Sequence, residues 1–575
     1  MKTLSLLIAL LLCAHLGHAQ QVGSCQFGLA TTDLDVGDVR AALYNNGSFF
    51  WRGSARGNVY TVPKGGQANS MFTASLWIGG LVEDKTHRFA GTVFGPWEFW
   101  PGPLDEAGNP PNDCAEYDRM YSVYDADIRA YEADGTLTDD LRDWPHHLGA
   151  PVVDGDGIKG NYDLVAGDRP EIYGEQSVWW VMNDVGNQKE WSSTPPIGLE
   201  VQVQAFAAQC WPFEGPRVPA QDHAVNQTTY YQFTVIHNGQ EILYDTYLGW
   251  RAVAEVGNAA DEYVGVDTTL HMGFQYNGEE FDRGPQGYGD RPPAIGFLLA
   301  KEVEVAFDGR DNDSDGMIDE LGEALPFNGY LSYWSNGTPF GNPTGSTIEP
   351  YNYLRGLWRD GTPLTEGGIG YSSGDPTAVQ TRYMFPGDPV TRSFWSEENT
   401  DGFGSRNTPS GRGDGVLSSG PFDFAPGDTT TFTLAIVWAQ GQDRLDSVRL
   451  LRKRAQLALS AVDQIKTYDA YTCAPPPEPE APHPATLGYY VLRQNYPEPF
   501  SQQTTIRYEV INTVPVQIHV YDLLGRRVRT LVDGVQEAGV YDVVFEADDL
   551  PTGTYFYRLE AAGYVSITRR MVLQR

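Results

Sequence analysis

The sequence predicts a mainly β, multidomain protein: a β-rich body with a short helical segment near residues 443–470, and a separate small β-sandwich at the C terminus. Three observations lead there. A chain of 575 residues exceeds what one hydrophobic core holds. Its apolar runs are short and punctuated by Gly, Asn, Asp and Pro, with 63 Gly and 38 Pro in all, which is the texture of strands joined by turns. Hydrophobic residues make up 41% of the chain and aromatic ones 12%, enough to fill packed cores.

Taken in chain order, residues 1–19 read as a signal peptide. Lys2 supplies the basic start, Leu4 to Leu12 the apolar core, and Gly17-His18-Ala19 the small-residue cleavage pattern before Gln20. Val22-Gly23-Ser24-Cys25 offers a second reading as a lipoprotein cleavage box, although the polar stretch Gly17 to Gln21 separates it from the apolar core. No later segment has the ~20 consecutive apolar residues of a membrane helix. The body is expected over residues 20–472, as one or two subdomains. Within it, Arg40 to Trp51 carries two apolar runs around Asn46-Gly47, a hairpin signal. Tyr230 to Ile236 and Thr429 to Trp438 alternate like half-buried strands. Leu445, Val448, Leu451, Ala455, Leu459, Val462 and Ile465 recur at helical spacing. Arg449, Arg452, Lys453 and Arg454 fall mostly on the other faces, which reads as a solvated basic surface.

Residues 473–486, Pro-rich and acidic, read as an extended linker. Beyond it, residues 487–575 hold some seven short alternating runs, among them Thr505 to Val510, Val516 to Asp522, Ala538 to Phe545 and Leu550 to Leu559. That count in so short a segment is the arithmetic of an Ig-like β-sandwich.

The mature chain keeps Cys25, Cys114, Cys210 and Cys473, which allow two disulfides in any of three pairings. No pair has CxxC spacing, so a zinc site has no support. With 40 Lys+Arg against 75 Asp+Glu, the net charge of -35 argues against nucleic acid, whose binding needs a basic footprint.

Leu492-Arg-Gln-Asn-Tyr-Pro-Glu-Pro-Phe500, Val516-Gln-Ile-His-Val-Tyr-Asp522, Gly525-Arg-Arg-Val528 and Leu550-Pro-Thr-Gly-Thr-Tyr-Phe-Tyr-Arg-Leu559 occur in one order. In that order they closely resemble the C-terminal sorting domain of type IX secretion cargo, which is related to the Ig-like domain of flagellar hook-cap proteins. Glu498 departs from the Asn common in that family. The resemblance implies an exported bacterial protein that meets the type IX secretion machinery through residues 487–575 and ends secreted or on the outer cell surface. In the body, Leu76-Trp-Ile-Gly-Gly80, Phe99 to Leu104, Tyr263-Val-Gly-Val-Asp267, Pro292 to Phe297 and Ser419 to Asp428 resemble uncharacterised exported proteins that carry the same domain. Those relatives bring no activity with them. Where they have a Trp-x-Asp-x-Asp-like stretch, Trp250 to Glu255 here lacks the aspartates.

The best candidate site is Asp308 to Glu320. Asp311, Asp313 and Asp315 alternate, Gly316 lets the loop turn, Met317 would give its carbonyl, and Asp319 and Glu320 would complete a cage of hard oxygens for a structural Ca2+. Position 322 is Gly where an EF-hand has Glu, so the stretch resembles instead a thrombospondin type 3 calcium loop, with Glu320 or Glu323 closing it. A weaker loop, Asp154-Gly-Asp156-Gly157 with Asp163 and Asp168 after it, reads as a Gly-rich turn. Gly370-Tyr-Ser372-Ser-Gly374 matches the hydrolase elbow only formally, because Gly367-Gly368 and Asp375-Pro376 flank it as a loop. His146-His147 lacks partners for a metal, and adjacent residues of an extended segment face apart. Trp97, Trp100, Trp179 and Trp180 fit a core as well as a sugar platform, and Arg412-Gly413-Asp414 is a chance-level tripeptide. No catalytic residue is assigned. The expected function is a secreted or surface structural or adhesive protein, with surface polysaccharide or self-assembly as the open partner classes. The alternative is a carbohydrate-binding module or glycoside-active enzyme.

Overall fold

The computed structural model describes residues 22–574 apart from 52–58, 96, 210–223, 260, 306–323, 335–338, 393, 402–412, 467–490, 493–494, 496–499, 511–512, 523–525, 548–549 and 562–564. The proposed signal peptide and the Pro-rich linker lie outside the described residues. The chain divides into two units, Met1–Cys473 and Ala474–Arg575.

The first unit is built on two antiparallel sheets. The larger runs Glu262–Asp267, Met272–Asn277, Ala294–Lys301, Thr429–Ala439, Thr228–His237, Leu199–Ala207, Gln176–Asn183 and Trp100–Pro101, with Tyr121–Tyr124 also paired to Gln176–Asn183. The second runs Gly329–Tyr333, Asp414–Phe424, Leu243–Val253, Thr73–Leu81 and Ser48–Phe49, with His87–Ala90 beside Thr73–Leu81. Strand periodicity assigns side chains to faces. Tyr231, Phe233 and Val235 point into the main core with Leu434, Ile436, Leu248 and Trp250 from both sheets, whereas Tyr230, Ala435 and Val437 face the other way. Trp180 and Trp179 divide likewise, one into the main core and one into a smaller cluster with Trp144 and Leu141.

The outward face of the larger sheet is closed by the helix Arg444–Lys466. Asp443 caps it by accepting from Leu445 N at 2.9 Å and Asp446 N at 2.8 Å. Val448, Leu451, Ala455, Val462 and Ile465 are buried against Phe274, Leu298 and Val437, with Leu445 and Leu459 at the margin. The basic cluster departs from expectation. Lys453 is exposed, but Arg452 is buried and pairs with Asp388 at 2.7 Å and Asp267 at 3.0 Å. Arg454, also buried, donates to the Trp438 carbonyl at 3.0 Å. Long stems let these guanidiniums lie along the sheet and still reach acceptors.

The turn at Asn46-Gly47 also differs: it is no hairpin. Arg40–Tyr44 pairs with Thr31–Leu34 and Tyr60–Thr61, while Ser48–Phe49 crosses to the second sheet and pairs with Thr73–Leu81. Phe49 lands among Trp180, Phe233 and Trp250, with ring centroids 5.2 to 5.8 Å away. Burying that ring between sheets outweighs local pairing. Gly47 at φ 81 carries the crossing, because a Cβ there would lie 2.4 Å from the Phe99 ring.

One edge of each sheet is met by the segment 382–397. Tyr330 exchanges hydrogen bonds with Arg382 and Met384, Val266 N donates to the Phe385 carbonyl at 3.2 Å, and Val264 N donates to the Glu397 carboxylate at 2.6 Å. Covered edges of this kind do not template another chain.

The second unit is a sandwich of a three-stranded sheet, Val491–Leu492, Gln503–Val510 and Gly539–Glu546, against a four-stranded one, Arg527–Gln536, Val514–Tyr521, Gly553–Ala561 and Val565–Leu573. Ile506, Tyr508 and Phe545 from one meet Ile518, Val520, Tyr557, Leu559 and Met571 from the other in a single core. These seven strands form the expected Ig-like sandwich.

Candidate functional site

The proposed calcium residues Asp311, Asp313, Asp315, Met317, Asp319 and Glu320 lie outside the described residues. Their attachment to the body is described: Val303–Glu304 and Ala324–Leu325 form a two-stranded antiparallel ribbon, with Glu304 opposite Ala324. Thr430 Oγ1 donates to the Glu304 carbonyl at 2.5 Å, tying this ribbon to the larger sheet. Glu304 and Ala324, which flank the acidic stretch in sequence, are therefore held side by side.

The weaker acidic loop gains a member that spacing did not suggest. Val152–Val153 pairs with Arg169–Pro170, and this brings Asp168 to Asp154 and Asp156, with one carboxylate oxygen of each within 4.8 Å of the others. Backbone N–H groups and the Asn161 side chain already donate to the group. Asp154 accepts from Asp156 N and Gly157 N, Asp156 from Ile158 N and the Asn161 amide, and Asp168 from Gly155 N at 2.9 Å and Asp163 N at 2.7 Å. Those bonds, led by Asp163, hold the Asp168 carboxyl below the usual carboxylate range. The arrangement is a self-satisfied turn of the kind Asp and Gly favour.

His146 and His147 sit in a short 3-10 turn, His146–Leu148, rather than an extended segment, and His146 stacks on Tyr162 at 5.5 Å. Ser372 lies in an irregular loop followed by the Asp375 turn, without the strand and helix an elbow needs. Asp414 of the Arg-Gly-Asp tripeptide is buried at the start of a strand and paired with Arg251. Trp100, Trp179 and Trp180 are buried, so these three serve cores; Trp97 is half-buried against Phe27.

The body's interior holds charged groups that local sequence reasoning missed. Arg251 donates to Asp414, to the Tyr333 hydroxyl at 2.9 Å and to the Val93 carbonyl at 2.7 Å. Lys189 Nζ meets Asp184 at 2.8 Å, and Asp184 also accepts from the amides of Ile197, Gly198 and Leu199. Arg444 forks onto Glu398 at 2.8 and 3.0 Å. Glu98 accepts from Trp191 N, Ser192 N and Ser192 Oγ; burial nevertheless pushes its carboxyl up to about 7, against the pull of Lys189 and these donors. Apart from Lys189 and Asp184, which are near neighbours in the chain, the paired groups come from distant segments, so no local motif announces them.

In the C-terminal unit, Asn495 has a structural use. It is buried, donates its backbone N–H to the Tyr557 hydroxyl oxygen at 2.8 Å and its side-chain amide to Thr504 Oγ1 at 3.0 Å. Phe500 joins the last strand through Phe500 N to the Val572 carbonyl and Gln574 N to the Phe500 carbonyl, with its ring against Phe545. Residues 494–574 match the family model of the secretion system C-terminal sorting domain. The last domain is a type IX secretion sorting domain. It marks the protein as secreted or attached to the outer cell surface. A sorting domain of this kind implies contact with the secretion machinery. No helix among the described residues is long and apolar enough to cross a membrane.

No curated protein matches the chain. Among solved structures, a polysaccharide lyase aligns at 9% identity and a TM-score of 0.24, covering 74% of this chain and 38% of its own. The dimeric latent form of PorU from Porphyromonas gingivalis aligns at 10% identity and a TM-score of 0.15, covering 76% and 35%. The chain thus spans little more than a third of each, and alignments this loose carry no functional argument.

Proposed function

We propose that this is a surface-delivered structural or adhesive protein whose body is stiffened by Ca2+ in the loop Asp311 to Glu320. The observation that carries the reading is the sorting domain, which supplies export and delivery, joined to a body whose described buried charges are engaged in holding its own segments together. The paired ribbon at Val303–Glu304 and Ala324–Leu325 supports the calcium part. It pairs the residues on either side of the acidic stretch, so an ion bound by Asp311, Asp313 and Asp315 would rigidify a segment anchored at both flanks.

Deleting residues 487–575 is expected to trap the chain in the periplasm; unchanged surface display would refute the export reading. Adding EDTA to the purified protein should lower its Tm, because a ligand present at a hundredfold excess over its Kd stabilises the folded state by about 2.7 kcal/mol. Asp313→Ala should abolish that response. A wild-type Tm indifferent to EDTA would remove calcium from the proposal.

A further inference from the structure

A protein delivered to the cell surface can be held there at either end, and Cys25 is the residue on which a lipid anchor at the N-terminal end would depend. We infer that Cys25 is not a lipid attachment point: its sulfur is consumed by a disulfide to Cys114, and the segment around it is a built part of the body. This rests on the export reading above. Two independent observations carry it. Cys25 and Cys114 are bonded across a separation of 89 residues, and both are buried with Trp100. Lipidation and this bond exclude each other, since each uses the one Sγ: a thioether to a diacylglyceryl group leaves no thiol to oxidise. The disulfide forms by loss of two thiol protons and two electrons to an exchangeable protein disulfide in the oxidising compartment.

The second observation lies upstream of the cysteine, where lipoprotein processing would cut. Lipidation would make Cys25 the first residue. Here Gly23 N donates to the Val185 carbonyl at 3.1 Å and Cys25 N to the Gly186 carbonyl at 2.8 Å, while the Asn187 amide donates to the Cys25 carbonyl at 2.8 Å. The fit is close on both sides: a Cβ on Gly23 would lie 2.6 Å from the Gly186 oxygen, and one on Gly186 would lie 3.0 Å from Cys25 Sγ. Cutting before Cys25 would discard a segment that is hydrogen-bonded to the loop following the strand Gln176–Asn183.

Comparing Cys25→Ala with Cys114→Ala in the full chain separates the two chemistries. A disulfide predicts the same phenotype for both: a similarly lowered Tm and surface retention equal to wild type. A lipid predicts that only Cys25→Ala is shed into the medium. Non-reducing peptide mapping of the secreted protein should show a peptide containing Cys25 linked to one containing Cys114, and reduction should separate them. A diacylglyceryl thioether on Cys25, or shedding confined to Cys25→Ala, would overturn the inference. Deletion of 487–575 serves as the control: retention in the periplasm there, with normal display of both cysteine variants, supports it. Normal display of the deletion would sink the export reading instead, and the peptide map would still decide the fate of Cys25.

Discussion

The body and the sorting domain solve the same problem, stable antiparallel sheets, with different materials. The sorting domain relies on alternation: alternate residues of its strands supply a single apolar core, and among the described residues each ion pair keeps at least one well-exposed partner. Arg507 and Asp542 pair at 2.8 Å with side chains 58% and 46% exposed. The body adds a layer and, beside exposed pairs such as Arg142 with Asp139, buries several of its charge pairs. Arg251 and Asp414 are 0% and 1% exposed, Lys189 and Asp184 1% and 0%, and Arg444 and Glu398 1% and 4%. A buried pair adds little net stability over an apolar one but is costly to break, because the remaining charge has no water to return to. The body's architecture is therefore more brittle toward single charge changes than that of the sorting domain.

The largest effect that would sharpen this contrast is Asp414→Ala. It strands Arg251 in the core and should cost roughly 3–5 kcal/mol, read as a lowered urea midpoint of the body's transition; a loss below 1 kcal/mol would break the comparison. Next comes pH. Glu98 sits above the ordinary carboxyl value of 4.5, at about 7, because it is buried. A carboxyl raised on folding contributes stability that is fully present below its unfolded pKa and lost as pH rises through the folded one. The body should thus lose up to about 3 kcal/mol between pH 4.5 and 7 from this group, and Glu98→Gln should flatten that part of the profile. Asp282, raised to about 6 chiefly by burial, acts with the same sign, so the difference between wild type and variant is the measurement that counts. The smallest effect is Asp542→Ala in the sorting domain. Water screens an exposed pair, so its loss should leave little or no shift in that domain's unfolding.

Legibility follows the same division. The helix Arg444–Lys466 and its contact residues were readable because a 3.6-residue repeat is set by near neighbours. The sorting domain was readable because its strands alternate and its motifs keep their order. The pair Arg251 and Asp414 is 163 positions apart and left no local trace. Asp168 joined Asp154 and Asp156 only because Val152–Val153 pairs with Arg169–Pro170. The Asn46-Gly47 turn had hairpin chemistry, yet its two arms belong to different sheets, since Phe49 gains more from the shared core than from its neighbour.

By itself, then, the sequence determined the β-rich class, the C-terminal helix of the body, the sorting domain and the route out of the cell that it specifies. These are properties of short windows, where periodicity and turn chemistry act on adjacent residues. Only the tertiary structure decided which charges are buried together, that Cys25 pairs with Cys114, that half of the basic helix cluster faces inward, and that one segment covers an edge of both sheets. Those outcomes depend on contacts between distant segments, and their energies exist only once the sheets have packed and excluded water.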